Sequence, residues 1–141
     1  CLMIRVKVER ELNAPVDKVW ALLEDFGNLN WYPGWTDLET IGEGPGMTRR
    51  IHMEGMEPID EILEAMDAAS RSFSYTIPKM PMPVSEYRAE VSLEPLDNGV
   101  RTLARWNCSA KPEGISETEG QAMLEGIYAD MLAKLEVAAN A

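Results

Sequence analysis

SETEGQAMLEGIYADMLAKLEVA, residues 116–138, carries the strongest structural signal in the chain. Its first four residues form a capping-box pattern, in which the Ser116 hydroxyl and the Glu119 carboxylate satisfy backbone N–H groups at a helix start. Apolar side chains then recur at helical spacing: Met123, Leu124, Ile127, Tyr128, Met131, Leu135 and Ala138. This stripe predicts a long amphipathic helix with one buried face.

The sequence before this helix is dominated by short runs typical of strands. Ile4–Leu12 alternates, with Ile4, Val6 and Val8 on one face. Six further runs, separated by turns rich in Gly, Asp and Asn, cover residues 36–43, 48–54, 59–66, 71–77, 84–94 and 100–111. The order predicts one α+β domain over residues 3–141, in which a curved seven-stranded antiparallel sheet wraps around the C-terminal helix.

One or two short helices are predicted after the first strand. Pro15 is suited to a helix start, and apolar residues follow at helical spacing up to Phe26. The aromatic segment 28–35 is expected to form a second short helix or a tight loop.

Composition and charge exclude several classes of function. The 141 residues carry a net charge of −11, which disfavours binding to nucleic acid. No run approaches the about 20 apolar residues of a membrane span, so no integral membrane segment is expected. The N-terminus lacks the layout of a signal peptide, and Cys1 and Cys108 form no CxxC motif. We therefore expect a cytoplasmic protein; its oligomeric state stays open.

Five motifs occur in an order known from one superfamily: APVDKVW at 14–20, GPGMTR at 44–49, DEILEAMD at 60–67, RSFSY at 71–75 and KPEG at 111–114. With them the chain resembles the START-related helix-grip superfamily (SRPBCC), and within it the bacterial polyketide cyclase/dehydrase-like family. The resemblance covers essentially the whole chain. It implies a helix-grip fold with an internal cavity, and it implies the cavity more strongly than any reaction.

The hormone receptors of this superfamily close their cavity with a gate loop and a latch loop. Neither loop has a clear counterpart in residues 54–58 or 79–83 of this chain. A receptor role is therefore not supported.

Strand alternation predicts which side chains point into the cavity. On β-strand 59–66, for example, the inward row would be Ile59, Glu61, Leu63 and Ala65. The predicted ligand-binding residues are Trp31, Tyr32, Arg49, Ile51, Met53, Glu61, Leu63, Phe73, Tyr75, Tyr87, Trp106, Met123, Ile127 and Met131.

Arg49 and Glu61 are the two charged residues in these inward rows, on strands joined around Gly55. Two interpretations are open, because a buried charge must be paired. The pair could form the polar end of the cavity and orient a carboxylate, ketone or hydroxyl of a ligand. It could instead be a structural ion pair near the sheet rim, or an exposed pair at a strand end. In the receptor branch of the superfamily that the chain resembles, the Glu that matches Glu61 belongs to a polar network in the cavity.

Other residues have competing interpretations. Trp35 is expected to close the core, and His52 to lie on the surface. Met80 and Met82, set among prolines, could act as a lid over the cavity entrance or pack as ordinary loop residues. Cys108 is expected to be a buried, inert thiol. No cluster of ligands indicates a metal, and no motif indicates an organic cofactor.

The sequence thus predicts a carrier or sensor that binds a small hydrophobic or aromatic molecule, lipid-like or polyketide-like. The alternative is an enzyme of the polyketide cyclase/aromatase or dehydratase type. In that case Glu61 is the best candidate for a catalytic residue, with Tyr75 or Tyr87 as donors and Arg49 stabilising an oxyanion. The lack of a second strong acid–base residue favours binding. A third hypothesis is an interaction domain whose acidic surface meets a basic partner.

Overall fold

Seven antiparallel strands form one sheet in the computed structural model, which describes residues 3–141. Cys1 and Leu2 lie outside the described residues. The elements are β1 Ile4–Leu12, α1 Val16–Glu24, β2 Asp37–Ile41, β3 Thr48–His52, β4 Ile59–Asp67, β5 Ser72–Ile77, β6 Val84–Leu96, β7 Arg101–Pro112 and α2 Glu117–Ala139. The spatial order β1-β7-β6-β5-β4-β3-β2 leaves β1 and β2 at the two edges.

The long C-terminal helix begins as its sequence predicts. The Ser116 side chain accepts a hydrogen bond from the Glu119 backbone N–H at 3.1 Å, and the Glu119 carboxylate accepts one from the Ser116 backbone at 3.4 Å. This capping box fixes the start of α2. The predicted α+β layout, with a seven-stranded antiparallel sheet and a long terminal helix, is confirmed.

Helix α2 lies closest to the β1 edge of the sheet. It packs mainly against β1, with further contacts to α1 and β7. Gly120 makes this approach possible, because a Cβ at that position would overlap Cδ1 of Ile4 on β1. In the described residues no comparably close packing joins α2 to β3, β4 or β5. The space between helix and sheet therefore opens towards those strands.

Residues 28–35 form a loop, which is one of the two forms expected for this segment; the other, a second short helix, is not seen there. The Asn28 side chain accepts a hydrogen bond from the Asn30 backbone N–H at 2.8 Å, which closes a turn instead of a helix. Gly34 then takes a positive φ of 122°. Helix α1 also ends at Glu24, before the expected Phe26.

A β-bulge in β4 changes one predicted inward row. Leu63 pairs with Tyr75, but the next paired residue, Ala65, lies opposite Ser74. The additional residue reverses the alternation, so that Ala65 is exposed and not inward-facing as expected. Ile59, Glu61 and Leu63 precede the bulge and keep the inward orientation that alternation predicts.

Candidate ligand-binding cavity

A cavity of about 420 Å³ lies between the sheet and α2. Its walls come from β3 to β6, from α2 and from the loops around residues 29–35 and 80–82. The lining residues are Leu29, Trp31, Tyr32, Pro33, Gly34, Trp35, Arg49, Ile51, Met53, Met56, Ile59, Glu61, Tyr75, Ile77, Met80, Pro81, Met82, Tyr87, Leu124, Ile127, Tyr128 and Met131. Apolar and aromatic side chains dominate this set, with few polar groups, which is typical of small-molecule sites.

Most of the residues predicted as ligand-binding are brought together at this cavity. Those that line it are Trp31, Tyr32, Arg49, Ile51, Met53, Glu61, Tyr75, Tyr87, Ile127 and Met131. Their contact with a ligand stays a prediction.

Leu63, Phe73, Trp106 and Met123 do not line the cavity. Phe73 lies under α1, where its ring centroid is 6.5 Å from that of Trp20. Trp106 is fully buried in the core. Strand alternation predicts the face of the sheet to which a side chain points. It does not predict which part of that face is covered by helices.

The helical lining residues follow one stripe of α2. Leu124, Ile127, Tyr128 and Met131 have the spacing i, i+3, i+4, i+7 of a single helix face. Met123 is half-buried beside this stripe. Leu124 and Tyr128 were not among the predicted site residues, although the same periodicity could have found them.

Trp35 also lines the cavity, contrary to the expectation that it only closes the core. Its ring Nε1 donates a hydrogen bond to the Leu29 carbonyl at 3.1 Å. This bond fixes the aromatic loop in place and directs the indole ring towards the cavity wall.

Arg49 and Glu61 form an ion pair at the cavity. They are directly opposite on β3 and β4, and Arg49 Nε donates to Glu61 Oε1 at 2.7 Å. Arg49 Nη2 lies 2.6 Å from the same oxygen. The side chains are 4% and 14% exposed, so the interpretation as an exposed pair is wrong.

Aromatic and backbone groups enclose the guanidinium. Arg49 Nη1 donates to the Phe26 carbonyl at 3.0 Å, and the guanidinium carbon lies 4.0 Å from the centroid of the Phe26 ring. The Tyr75 ring centroid is 5.4 Å away on the cavity side. The positive charge is therefore held by an anion, a carbonyl and π faces together.

Three tyrosines line the cavity, and Tyr75 is the one beside this ion pair. Trp106 Nε1 donates to the Tyr75 hydroxyl at 3.1 Å, and the hydroxyls of Tyr87 and Tyr128 are hydrogen-bonded to each other. Burial raises the pKa of all three phenols, and for Tyr75 the nearby Glu61 charge adds to the increase in pKa. They act as neutral hydrogen-bonding groups.

Flexible and aromatic side chains from two loops form part of the cavity wall. Met80 and Met82 are half-buried and line the cavity, as the lid hypothesis requires. On the other side Tyr32 donates to Asp130 Oδ2 at 3.3 Å, and Lys134 Nζ lies 4.7 Å from the Tyr32 ring centroid. These contacts tie the aromatic loop to α2.

His52 and Cys108 do not line the cavity. The His52 side chain is partly exposed and pairs with Glu39 next to it on β2. Cys108 is buried, and burial raises the pKa of its thiol, as expected for an inert cysteine.

The described residues offer neither a metal site nor a membrane-spanning helix. Among residues 3–141, no group of His, Cys, Asp and Glu side chains could hold a metal ion. In the same residues, every helix is too short or too polar to cross a bilayer.

The sheet, the gripping helix and the cavity between them define a helix-grip protein with an internal pocket. The chain belongs to the polyketide cyclase / dehydrase and lipid transport family, whose sequence model matches residues 3–140. No curated protein matches the chain.

Solved structures share the fold over almost the full length. An uncharacterised protein from Bacillus thuringiensis is 25% identical, with a TM-score of 0.86 over 97% of this chain and 99% of that one. A Thermobifida fusca protein, solved by NMR in solution, is also 25% identical, with a TM-score of 0.82 over 94% and 91%. The protein XoxI from Bacillus cereus is 24% identical, with a TM-score of 0.84 over 95% and 94%, and this likeness concerns the fold alone.

Proposed function

We propose that this protein binds a small hydrophobic or aromatic molecule, lipid-like or polyketide-like, inside the cavity, as a carrier or sensor. The observation that carries the proposal is an apolar cavity of about 420 Å³ with one buried ion pair in its wall. Protein interiors are close-packed, and few folds keep spaces much larger than a water molecule. A space of this size, with polar groups at one place, has the form of a ligand site.

The composition of the walls supports a ligand with a large apolar part. Trp31, Tyr32 and Trp35 offer wide, rigid surfaces on one side. Met53, Met56, Met80, Met82 and Met131 offer adaptable surface on the others. Thioether side chains change rotamer at low cost, so they accommodate ligands of different outline.

A catalytic role remains the second candidate, because Glu61 is the one carboxylate among the described lining residues. A cyclase or dehydratase could use it for proton transfer. Three features favour binding over catalysis: Glu61 is already held by Arg49, the neighbouring tyrosines stay neutral, and no second acid–base group lines the cavity in residues 3–141.

The test is native mass spectrometry of the protein purified from its own host. We expect a small apolar molecule to co-purify in a one-to-one complex. The recovered molecule is then incubated with fresh protein. Recovery at unchanged mass supports a carrier or sensor, and conversion to a new mass supports the enzyme.

A cavity-filling variant locates the site. Ile127→Trp places a large ring in the cavity, while Val137→Trp adds the same ring to an exposed position of the same helix. We expect prodan, an uncharged naphthalene dye whose emission changes on leaving water, to bind the wild type and Val137→Trp but not Ile127→Trp. Equal binding to both variants would place the dye elsewhere and contradict the proposal.

A further inference from the structure

We infer that the cavity selects an uncharged ligand that donates a hydrogen bond, such as an alcohol or a phenol, and excludes the carboxylate with the same carbon skeleton. This inference rests on the proposed function and narrows its ligand class. It follows from the arrangement of charges and free hydrogen-bonding atoms around Arg49 and Glu61.

The positive charge of Arg49 at the cavity is already paired within the protein. Arg49 directs Nε and Nη2 to one oxygen of Glu61, and Nη1 to the Phe26 carbonyl. No other basic residue lines the cavity in the described part of the chain. An anionic ligand would therefore find no free cation, although burying a carboxylate requires one.

The accessible member of the pair is the anion. Nε and Nη2 of Arg49 both lie against Oε1 of Glu61, and no hydrogen bond from residues 3–141 reaches Oε2. The Glu61 side chain is 14% exposed, against 4% for Arg49. The cavity thus presents a free charged acceptor, which attracts a donor and repels a second carboxylate.

Tyr75 completes a site for a hydroxyl group. It accepts from Trp106, so its own O–H remains free to donate. The Tyr87 and Tyr128 hydroxyls bond to each other, and each has a second hydrogen-bonding neighbour, Tyr75 for Tyr87 and Cys108 for Tyr128. A ligand hydroxyl can donate to Glu61 Oε2 and accept from a tyrosine at the same time, whereas an ionised carboxylate can only accept.

Calorimetry with three matched probes tests the inference on the wild-type protein. Naphthol, methylnaphthalene and naphthoate, substituted at the same ring position, differ in the group that meets the pair. At neutral pH the phenol is uncharged and the carboxylic acid is ionised, because their ordinary pKa values are about 10 and about 4. We expect naphthol to bind on the order of tenfold more tightly than methylnaphthalene, and naphthoate to bind most weakly.

The second part of the test measures the same three probes on the variant Glu61→Gln. Without the carboxylate, the Arg49 charge is free to pair with a ligand anion, so we expect the variant to prefer naphthoate over naphthol. The matched control is Asp60→Asn, which removes the neighbouring carboxylate that pairs with Arg50 on the other face of the sheet. That variant should keep the wild-type order. Thermal unfolding of both variants checks that they are folded.

The outcomes separate the inference from the proposed function. Naphthoate binding the wild type as tightly as naphthol, or naphthol no better than methylnaphthalene, overturns the inference alone. Failure of all three probes and of prodan to bind contradicts the proposed function, and the inference with it. If Glu61→Gln does not fold, the order of the three affinities measured on the wild-type protein still tests the inference.

Discussion

Arg49 and Glu61 face each other across β3 and β4, with Arg49 Nε 2.7 Å from Glu61 Oε1. At the adjacent position of the same two strands, Arg50 and Asp60 make a two-pronged pair at 2.8 and 3.0 Å. Alternation places the two pairs on opposite faces of the sheet. One strand pair therefore carries a buried and an exposed ion pair of the same chemistry.

This arrangement allows a matched test of burial. We expect Arg49→Ala to lower the free energy of unfolding by about 3–5 kcal/mol, because it leaves the Glu61 charge without a partner inside the protein. Arg50→Ala should change it far less, because water solvates the remaining Asp60 carboxylate. Urea unfolding of both variants measures the difference, and equal losses would show that Glu61 is solvated in the native state.

Alkaline pH should destabilise the fold through its buried tyrosines. Tyr75, Tyr87 and Tyr128 have a pKa raised by burial, whereas in the unfolded chain each ionises near a pKa of about 10. The unfolded state therefore releases protons first as the pH rises. Their contribution to stability is complete below pH about 10 and is lost above it, with a limiting slope of about 1.4 kcal/mol per pH unit for each tyrosine.

Unfolding by urea across this pH range measures the slope, and Tyr87→Phe should reduce it. Ultraviolet absorbance gives an independent readout. Of the four tyrosines, only Tyr32 is half-buried. At most this one should ionise while the protein stays folded; tyrosinate absorbance from several residues in the native state would contradict the burial of the other three.

Two glycines of α2 should respond oppositely to alanine. A Cβ at Gly126 would meet no neighbouring side chain within 4 Å in the described structure, so Gly126→Ala should stabilise the protein by about 0.5–1 kcal/mol through helix propensity. A Cβ at Gly120 would overlap Cδ1 of the fully buried Ile4. Gly120→Ala should therefore be destabilising.

Thermal denaturation compares the two variants. The double variant Gly120→Ala with Ile4→Val removes the overlapping methyl group, so the cost of the alanine should shrink in the Ile4→Val background. An alanine cost that is the same in both backgrounds would show that Ile4 does not set the distance between α2 and β1.

The two methionines that line the cavity from the loop after β5, Met80 and Met82, should respond to ligand. If the loop of Met80 and Met82 closes over the cavity, bound prodan should slow the oxidation of both thioethers by hydrogen peroxide. Met47 is half-buried but does not line the cavity, so its oxidation rate should not change. Peptide mapping by mass spectrometry gives the three rates. Unchanged rates at Met80 and Met82 would contradict a lid.

Local sequence signals were sufficient for the elements, because capping, turn chemistry and periodicity act over a few residues. The helix start at Ser116 and the alternation of Ile4–Leu12 are examples. The aromatic segment 28–35 was ambiguous, since its turn depends on one side-chain hydrogen bond from the Asn30 backbone to Asn28. The bulge after Leu63 left no visible signal, because a strand with an additional residue has the same composition as one without.

By itself, the sequence determined the strands and the long helix, because these follow from the repeat of each backbone conformation. It assigned Arg49 and Glu61 to inward rows, but it left open whether the pair is buried at the cavity or exposed. Only the tertiary structure decided where the interior is filled and where it is open. Phe73 and Trp106 share the inward face with Tyr75, yet they pack into the core while Tyr75 borders the cavity. The distance of α2 from each strand decides whether an inward side chain is packed in the core or borders the cavity. That distance depends on close contacts between residues far apart in the chain, such as Gly120 with Ile4.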